Sequence, residues 1–135
     1  MAHYLIGELS KKTGFSPDTI RFYEKKQLVN PSLRGDNNYR YYSEDALKRL
    51  LFIKRCRALD LSLKEIDTLI ELEQQPQQTC HAVNDIIDIH LFQVDQKITE
   101  LQKFQQELLQ LRQSCNAQST IDHCQILKRL EAHDA

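Results

Sequence analysis

IGELSKKTGFSPDTIRFYEKKQLV, residues 6–29, divides at one point. Gly14 can end a first helix, Ser16 can cap a second, and Pro17 suits its first helical position. Ile6, Leu9, Phe15, Ile20 and Tyr23 are spaced to form a shared inner face. This is the spacing of a helix-turn-helix, although an ordinary helical hairpin uses the same local signals.

Working outward, NPSLRGDNNYRYYSEDALKRL (residues 30–50) first collects turn formers at Pro31, Gly35, Asp36, Asn37 and Asn38. The YRYY run that follows favours extended backbone, so a hairpin or wing is expected. Ser43 then caps a helix through LKRLLFIKRCRA. Ser62 and Glu65 form a capping box for another helix, ending near Glu73. QQPQQ, residues 74–78, reads as a linker. From about Cys80 to about Ser114 the chain has no Gly or Pro. There Ile87, Leu91, Val94, Ile98, Leu101 and Leu108 recur in steps of four and three, with Gln105 interrupting the seam. This is a coiled-coil stripe, and a helix with one narrow seam needs a partner, either a second copy or its own domain.

The 135 residues are 41% hydrophobic and 27% charged with three Gly and three Pro, which suits a folded helical protein rather than a disordered one. The net charge of −1 hides an asymmetry. Residues 1–57 hold 12 Lys and Arg against six Asp and Glu, and the remainder holds six against 13. A basic front half suits a polyanion and an acidic rear half a separate sensor or partner region. No apolar run approaches the roughly 20 residues needed to span a bilayer. MAHYLIGELSKKTG lacks the features of a secretory signal, so a cytoplasmic location without membrane association is expected. In that reducing setting sparse cysteines point to metal ligation or redox sensing. Nothing matches a phosphate loop, a hydrolase elbow or a catalytic dyad, so no enzyme is expected.

Cys80 and Cys115 are 35 residues apart, and Cys80 shares a heptad row with Ile87, Val94, Leu101 and Leu108. Along one helix that separation is roughly 50 Å. Two sulfurs sharing an ion must each lie about 2.3 Å from it, if the ion is zinc. An antiparallel pair of helices resolves the conflict. Pairing residues whose numbers add to 195 sets Cys80 of one chain opposite Cys115 of the other, Ile87 opposite Leu108 and Val94 opposite Leu101. Cys124, across the NAQSTIDH loop, completes a three-thiolate metal site. His81 and His123 neighbour these ligands as outer-shell candidates or plain surface residues. Cys56, inside FIKRCRALDL, is expected to pack. Three thiolates favour soft ions: cadmium, lead, mercury or zinc. A Cys115–Cys124 disulfide in a thiol-redox-responsive regulator is the alternative from another class.

The expected fold is therefore mainly α, in three parts. Residues 1–75 form a winged helix-turn-helix DNA-binding head, 76–114 a linker and long antiparallel coiled-coil dimerisation helix, and 115–135 a metal-binding loop with a short C-terminal helix.

IGELSKKTG, TIRFYEKKQLV and NNYRYYSEDALKRLLFIKRCRALDLSLKEI resemble the head of the MerR family of transcription regulators, and the resemblance continues to about Leu130. It implies that Arg21 and Tyr23 contact DNA from the recognition helix, beside Ser16 and Thr19 at its start. Arg34, Tyr39, Arg40 and Tyr42 occupy the positions of wing contacts, and Arg57 that of a phosphate contact. Tyr23 and Tyr42 suit the core equally well. LLFIKRCRALDLSLKEI, CHAVNDIIDIH and LQKFQQELLQLRQSC look most like the cadmium- and lead-responsive branch. Zinc-responsive members carry a second cysteine where this chain has Asn116, copper-responsive members a serine at the position of Cys80, and mercury-responsive members share the three-cysteine spacing. The EAHDA end lacks the histidine-rich tail of some cadmium regulators. The resemblance further implies a homodimer on a pseudo-palindromic operator that, on binding Cd(II) or Pb(II), distorts promoter DNA so that RNA polymerase can use it. Hg(II) or Zn(II) as effector is the alternative within the family.

Overall fold

The computed structural model describes residues 3–116 and 118–132. Its elements are β1 (His3–Tyr4), α1 (Ile6–Thr13), α2 (Pro17–Lys25), β2 (Leu33–Arg34), β3 (Arg40–Ser43), α3 (Glu44–Ala58), α4 (Leu63–Glu73), α5 (His81–Gln113), a 3-10 turn (Ile121–His123) and α6 (Gln125–Ala132). Two compact units divide the chain, one through Ile86 and one from Ile87 onward. Of the segment from 115 to the end, Ala117 and His133–Ala135 lie outside the described residues.

The turn between α1 and α2 follows from its residues. Gly14 takes φ 81°, a left-handed conformation that costs glycine little, and its N–H donates to the Ser10 carbonyl at 2.9 Å. Ser16 accepts the Thr19 N–H at 3.1 Å, and Pro17 opens α2. Thr13 is wholly buried, yet its hydroxyl donates to the Leu9 carbonyl at 2.7 Å and accepts the Phe15 N–H at 3.1 Å. The turn therefore buries no unpaired hydroxyl.

β3 lies between β1 and β2 in a small antiparallel sheet, with Tyr4 opposite Tyr42 and Arg34 opposite Arg40. The wing is the hairpin of β2 and β3. Within it, the Gly35 N–H donates to the Tyr39 carbonyl and the Asn38 N–H to that of Gly35. A Cβ on Gly35 would fall 2.7 Å from the Tyr41 ring, so the ring can close over the turn only because residue 35 has no side chain. Ser43 caps α3 through the Ala46 N–H, and Ser62 and Glu65 form the reciprocal box that starts α4. The core collects Leu9, Ile20 and Tyr23 with Leu47, Leu50, Ile53 and Ile66, and Cys56 is buried among them.

α5 is one unbroken helix of 33 residues, so it is about 50 Å long. None of its residues is buried, and Leu91, Ile98, Leu101 and Leu108 are exposed. α6 is likewise amphipathic and has no buried residue.

Candidate DNA-binding head and thiol loop

α2 and the wing carry most of the cations singled out from the sequence. Arg21 is exposed on α2, its Nη1 3.0 Å from the Asp18 carboxylate. A partner this exposed can be exchanged for phosphate at small cost. Arg34 donates from Nη1 to the Asn38 carbonyl at 3.1 Å, which stiffens the wing tip, and Arg40 and Tyr39 are exposed beside it. Ser16 and Thr19 face each other with oxygens 2.9 Å apart at the start of α2. Arg57, at the end of α3, donates to the Leu61 carbonyl at 3.0 Å and so closes the turn into α4.

Two of the tyrosines expected at DNA are core residues. Tyr23 is buried, with its ring edge-on to Phe15 at 5.4 Å. Tyr42 is 1% exposed, and its hydroxyl donates to Glu24 Oε2 at 2.8 Å. Burial and the neighbouring carboxylate push the Tyr42 phenol up from its ordinary value. Glu24 itself was not anticipated. Its signal was an acidic residue in the last turn of α2, where the helix dipole disfavours negative charge and some other attraction must hold it.

The second arrangement lies beyond α5. Cys115 follows the helix end, Cys124 precedes α6, and the Cys115 thiol donates to the Cys124 sulfur across 3.8 Å. The intervening loop is shaped by Asn116, whose Oδ1 accepts the Gln118 N–H at 3.1 Å and the Ser119 hydroxyl at 3.4 Å. Arg112 donates to the Cys115 carbonyl at 3.2 Å. All four cysteines are free thiols. Cys124 sits at the N-terminus of α6, its carbonyl accepting the Lys128 N–H. The Leu127 N–H lowers its thiol pKa from the ordinary value, desolvation opposes this, and the Cys115 thiol and Ile126 N–H add to the lowering. The helix end therefore favours the thiolate, the form that ligates metal.

Two thiolates about 2.3 Å from one tetrahedral ion have sulfurs about 3.8 Å apart, and the observed separation is 3.8 Å. Cys115 and Cys124 thus fit as two of the three ligands of a soft-metal site. Among the described residues no three His, Cys, Asp or Glu side chains converge, so a third thiolate is not supplied nearby. Cys80 is exposed at the start of α5, its carbonyl accepting the Asn84 N–H at 2.9 Å. It shares with Cys124 a place at a helix N-terminus. His81 is exposed, its Nε2 3.7 Å from the Asp85 carboxylate. His123 is exposed in the 3-10 turn.

Residues 4–73 match the MerR HTH family regulatory protein family, and residues 47–111 match the family described as MerR, DNA binding. The chain is 39% identical over 131 residues to the HTH-type transcriptional regulator ZntR of Escherichia coli K12, covering 95% of this chain and 92% of that one. It is 32% identical over 127 residues to the mercuric resistance operon regulatory protein of Bacillus cereus, covering 94% and 96%. Among solved structures, the transcription regulator PbrR691 from Ralstonia metallidurans CH34, in complex with lead(II), is similar at a TM-score of 0.79 and 44% identity, covering 94% of this chain and 98% of that one. With a helix-turn-helix, a wing and a long helix in this order, the chain belongs to the MerR family of DNA-binding transcription regulators, and it is not an enzyme.

Proposed function

We propose that this protein is a cytoplasmic, homodimeric metal sensor. On binding Cd(II) or Pb(II) it activates a metal-resistance or efflux promoter by distorting the promoter DNA. The observation that carries this reading is the Cys115–Cys124 sulfur separation of 3.8 Å. The exposed apolar seam of α5 favours a second copy as its cover. In an antiparallel pair, Cys80 of the partner chain completes the site, once at each end of the dimer. Cys80, Cys115 and Cys124 are the proposed ligands, with His81 and His123 outside them.

Several observations favour the soft, heavy ions. The donors are thiolates, the similar PbrR691 is a lead(II) complex, and Asn116 stands where zinc-responsive members carry another cysteine. Cys115, Cys124 and Cys80 of the partner chain would hold the ion, whose bonds to thiolates would tie the 116–123 loop to the start of the partner's α5. For that joining to act on DNA, the activating conformation must hold the ion more tightly than the resting one. The loop and α5 carry the change, and α4 passes it to the heads. The heads then untwist a promoter spacer so that RNA polymerase aligns with both promoter elements. Arg21 and the wing's Arg34 and Arg40 hold the duplex through this change.

Titration of the reduced protein with cadmium, lead, mercury and zinc, read by thiolate-to-metal absorption, tests the reading. A mixed dimer of Cys80→Ser and Cys115→Ser chains is expected to recover one of the two sites. Recovery of none, while the unmodified dimer binds, would overturn the sharing between chains. The same 3.8 Å separation favours a second reading, a thiol-redox regulator that closes a Cys115–Cys124 disulfide. An oxidant-driven change in promoter distortion by the metal-free protein would support it over metal sensing.

A further inference from the structure

The wing and the recognition helix meet at one carboxylate. Glu24 lies in the last turn of α2, and its two oxygens point to two different parts of the wing. Oε2 accepts the Tyr42 hydroxyl at 2.8 Å, and Oε1 accepts the Ser32 N–H at 2.7 Å. Ser32 immediately precedes β2, and Tyr42 lies in β3 at the centre of the sheet. Both arms of the hairpin are therefore tied to a single side chain on α2.

The surroundings keep that side chain charged. Burial pushes the Glu24 carboxyl up, but the hydrogen bonds from Ser32 and Tyr42, helped by the nearby Arg40 charge, outweigh it and hold the group below its usual value. Hydrogen bonds to a carboxylate are the stronger kind. Without them the wing would be anchored by its short ladder to β1 and by packing. The residues that would touch DNA, Arg34, Tyr39 and Arg40, lie at its exposed end.

We propose that Glu24 is a positioning residue for DNA binding, setting the angle of the wing to the recognition helix so that Arg21, Arg34 and Arg40 meet one duplex as a preformed surface. The proposal rests on the reading that wing arginines contact the DNA backbone. A wing free to swing must be ordered on binding, and that ordering is subtracted from the affinity. Tyr42 then has an indirect role: its buried hydroxyl acts on DNA through Glu24.

Two conservative variants isolate the tie. Tyr42→Phe keeps the buried ring and removes only the hydroxyl. Glu24→Gln keeps an acceptor for Ser32, turns an amide toward Tyr42 and removes the attraction to Arg40. Thermal melting of each full-length dimer first establishes that it is folded, and operator affinity is then measured at several salt concentrations. Each variant is expected to lose about tenfold in operator affinity, with a salt dependence shallower by up to about one phosphate contact. Arg34→Ala is expected to weaken binding by itself, and Glu24→Gln combined with Arg34→Ala to cost less than the two losses added. If both conservative variants bind as the unmodified protein does while Arg34→Ala weakens binding, the tie is refuted and the wing reading stands. If Arg34→Ala and Arg40→Ala change neither affinity nor slope, the wing reading fails and the proposal with it. Fully additive losses would mark Glu24 as acting independently of the wing contacts and would also overturn the proposal.

Discussion

The head and the long helix solve the same problem in opposite ways. In the head, short helices and a small sheet pool their apolar faces, and Leu9, Ile20, Leu50, Ile53 and Ile66 are completely shielded from water. In α5 none of the 33 residues is buried, and its apolar side chains lie along an open seam. The head has an internal core of its own, whereas the apolar seam of α5 is left uncovered. A fixed DNA-reading surface suits the first solution, and the proposed sensor shared between two chains needs the second.

Substitutions at matched positions should break the two halves differently. Leu50→Ala, at the centre of the head, is expected to cost about 2–5 kcal/mol of unfolding free energy, measured by urea denaturation. Cys124→Ser is expected to leave operator binding intact and lower soft-metal affinity by at least about 100-fold, beyond the upper end of what a lost outer-shell partner costs; equal metal binding would show that the loop is not the site. Leu101→Ala should leave the head's stability nearly unchanged but weaken self-association by about tenfold or more, since two exposed leucines per dimer lose their burial; sedimentation against concentration reads it. Ser62→Ala removes the cap of α4 and should cost about 1 kcal/mol. The smallest effect concerns Glu24. Because its folded pKa lies below the unfolded value, the carboxylate contributes stability above the usual carboxylate range and loses it as pH falls through the folded value. The difference in melting temperature between Glu24→Gln and the unmodified protein should therefore shrink with acidification; a constant difference would mean that the charge plays no part.

Most element boundaries were legible because caps are local. Gly14, Ser16 and Pro17 mark the α1–α2 turn within four residues, and Ser62 with Glu65 announces α4 in the same way. The open seam of α5 was legible from heptad spacing, since a stripe that narrow cannot cover itself. The wing was harder to read. Arg40 and Tyr42 are two residues apart on one strand, so simple alternation gives them the same face, yet Arg40 is exposed and Tyr42 buried. The strand runs from the exposed end of the hairpin into the core, and position along it counts for as much as the face.

The sequence by itself determined where helices start and stop, the basic front and acidic rear, and the need of α5 for a cover, because each depends on neighbours a few residues apart or on composition. Only the tertiary structure decided that Tyr42 turns inward to Glu24, 18 positions away, and that the Cys115 and Cys124 sulfurs approach to 3.8 Å across a nine-residue separation. Such contacts depend on how a loop closes and how elements pack, and many closures compatible with the same local preferences would leave these side chains apart.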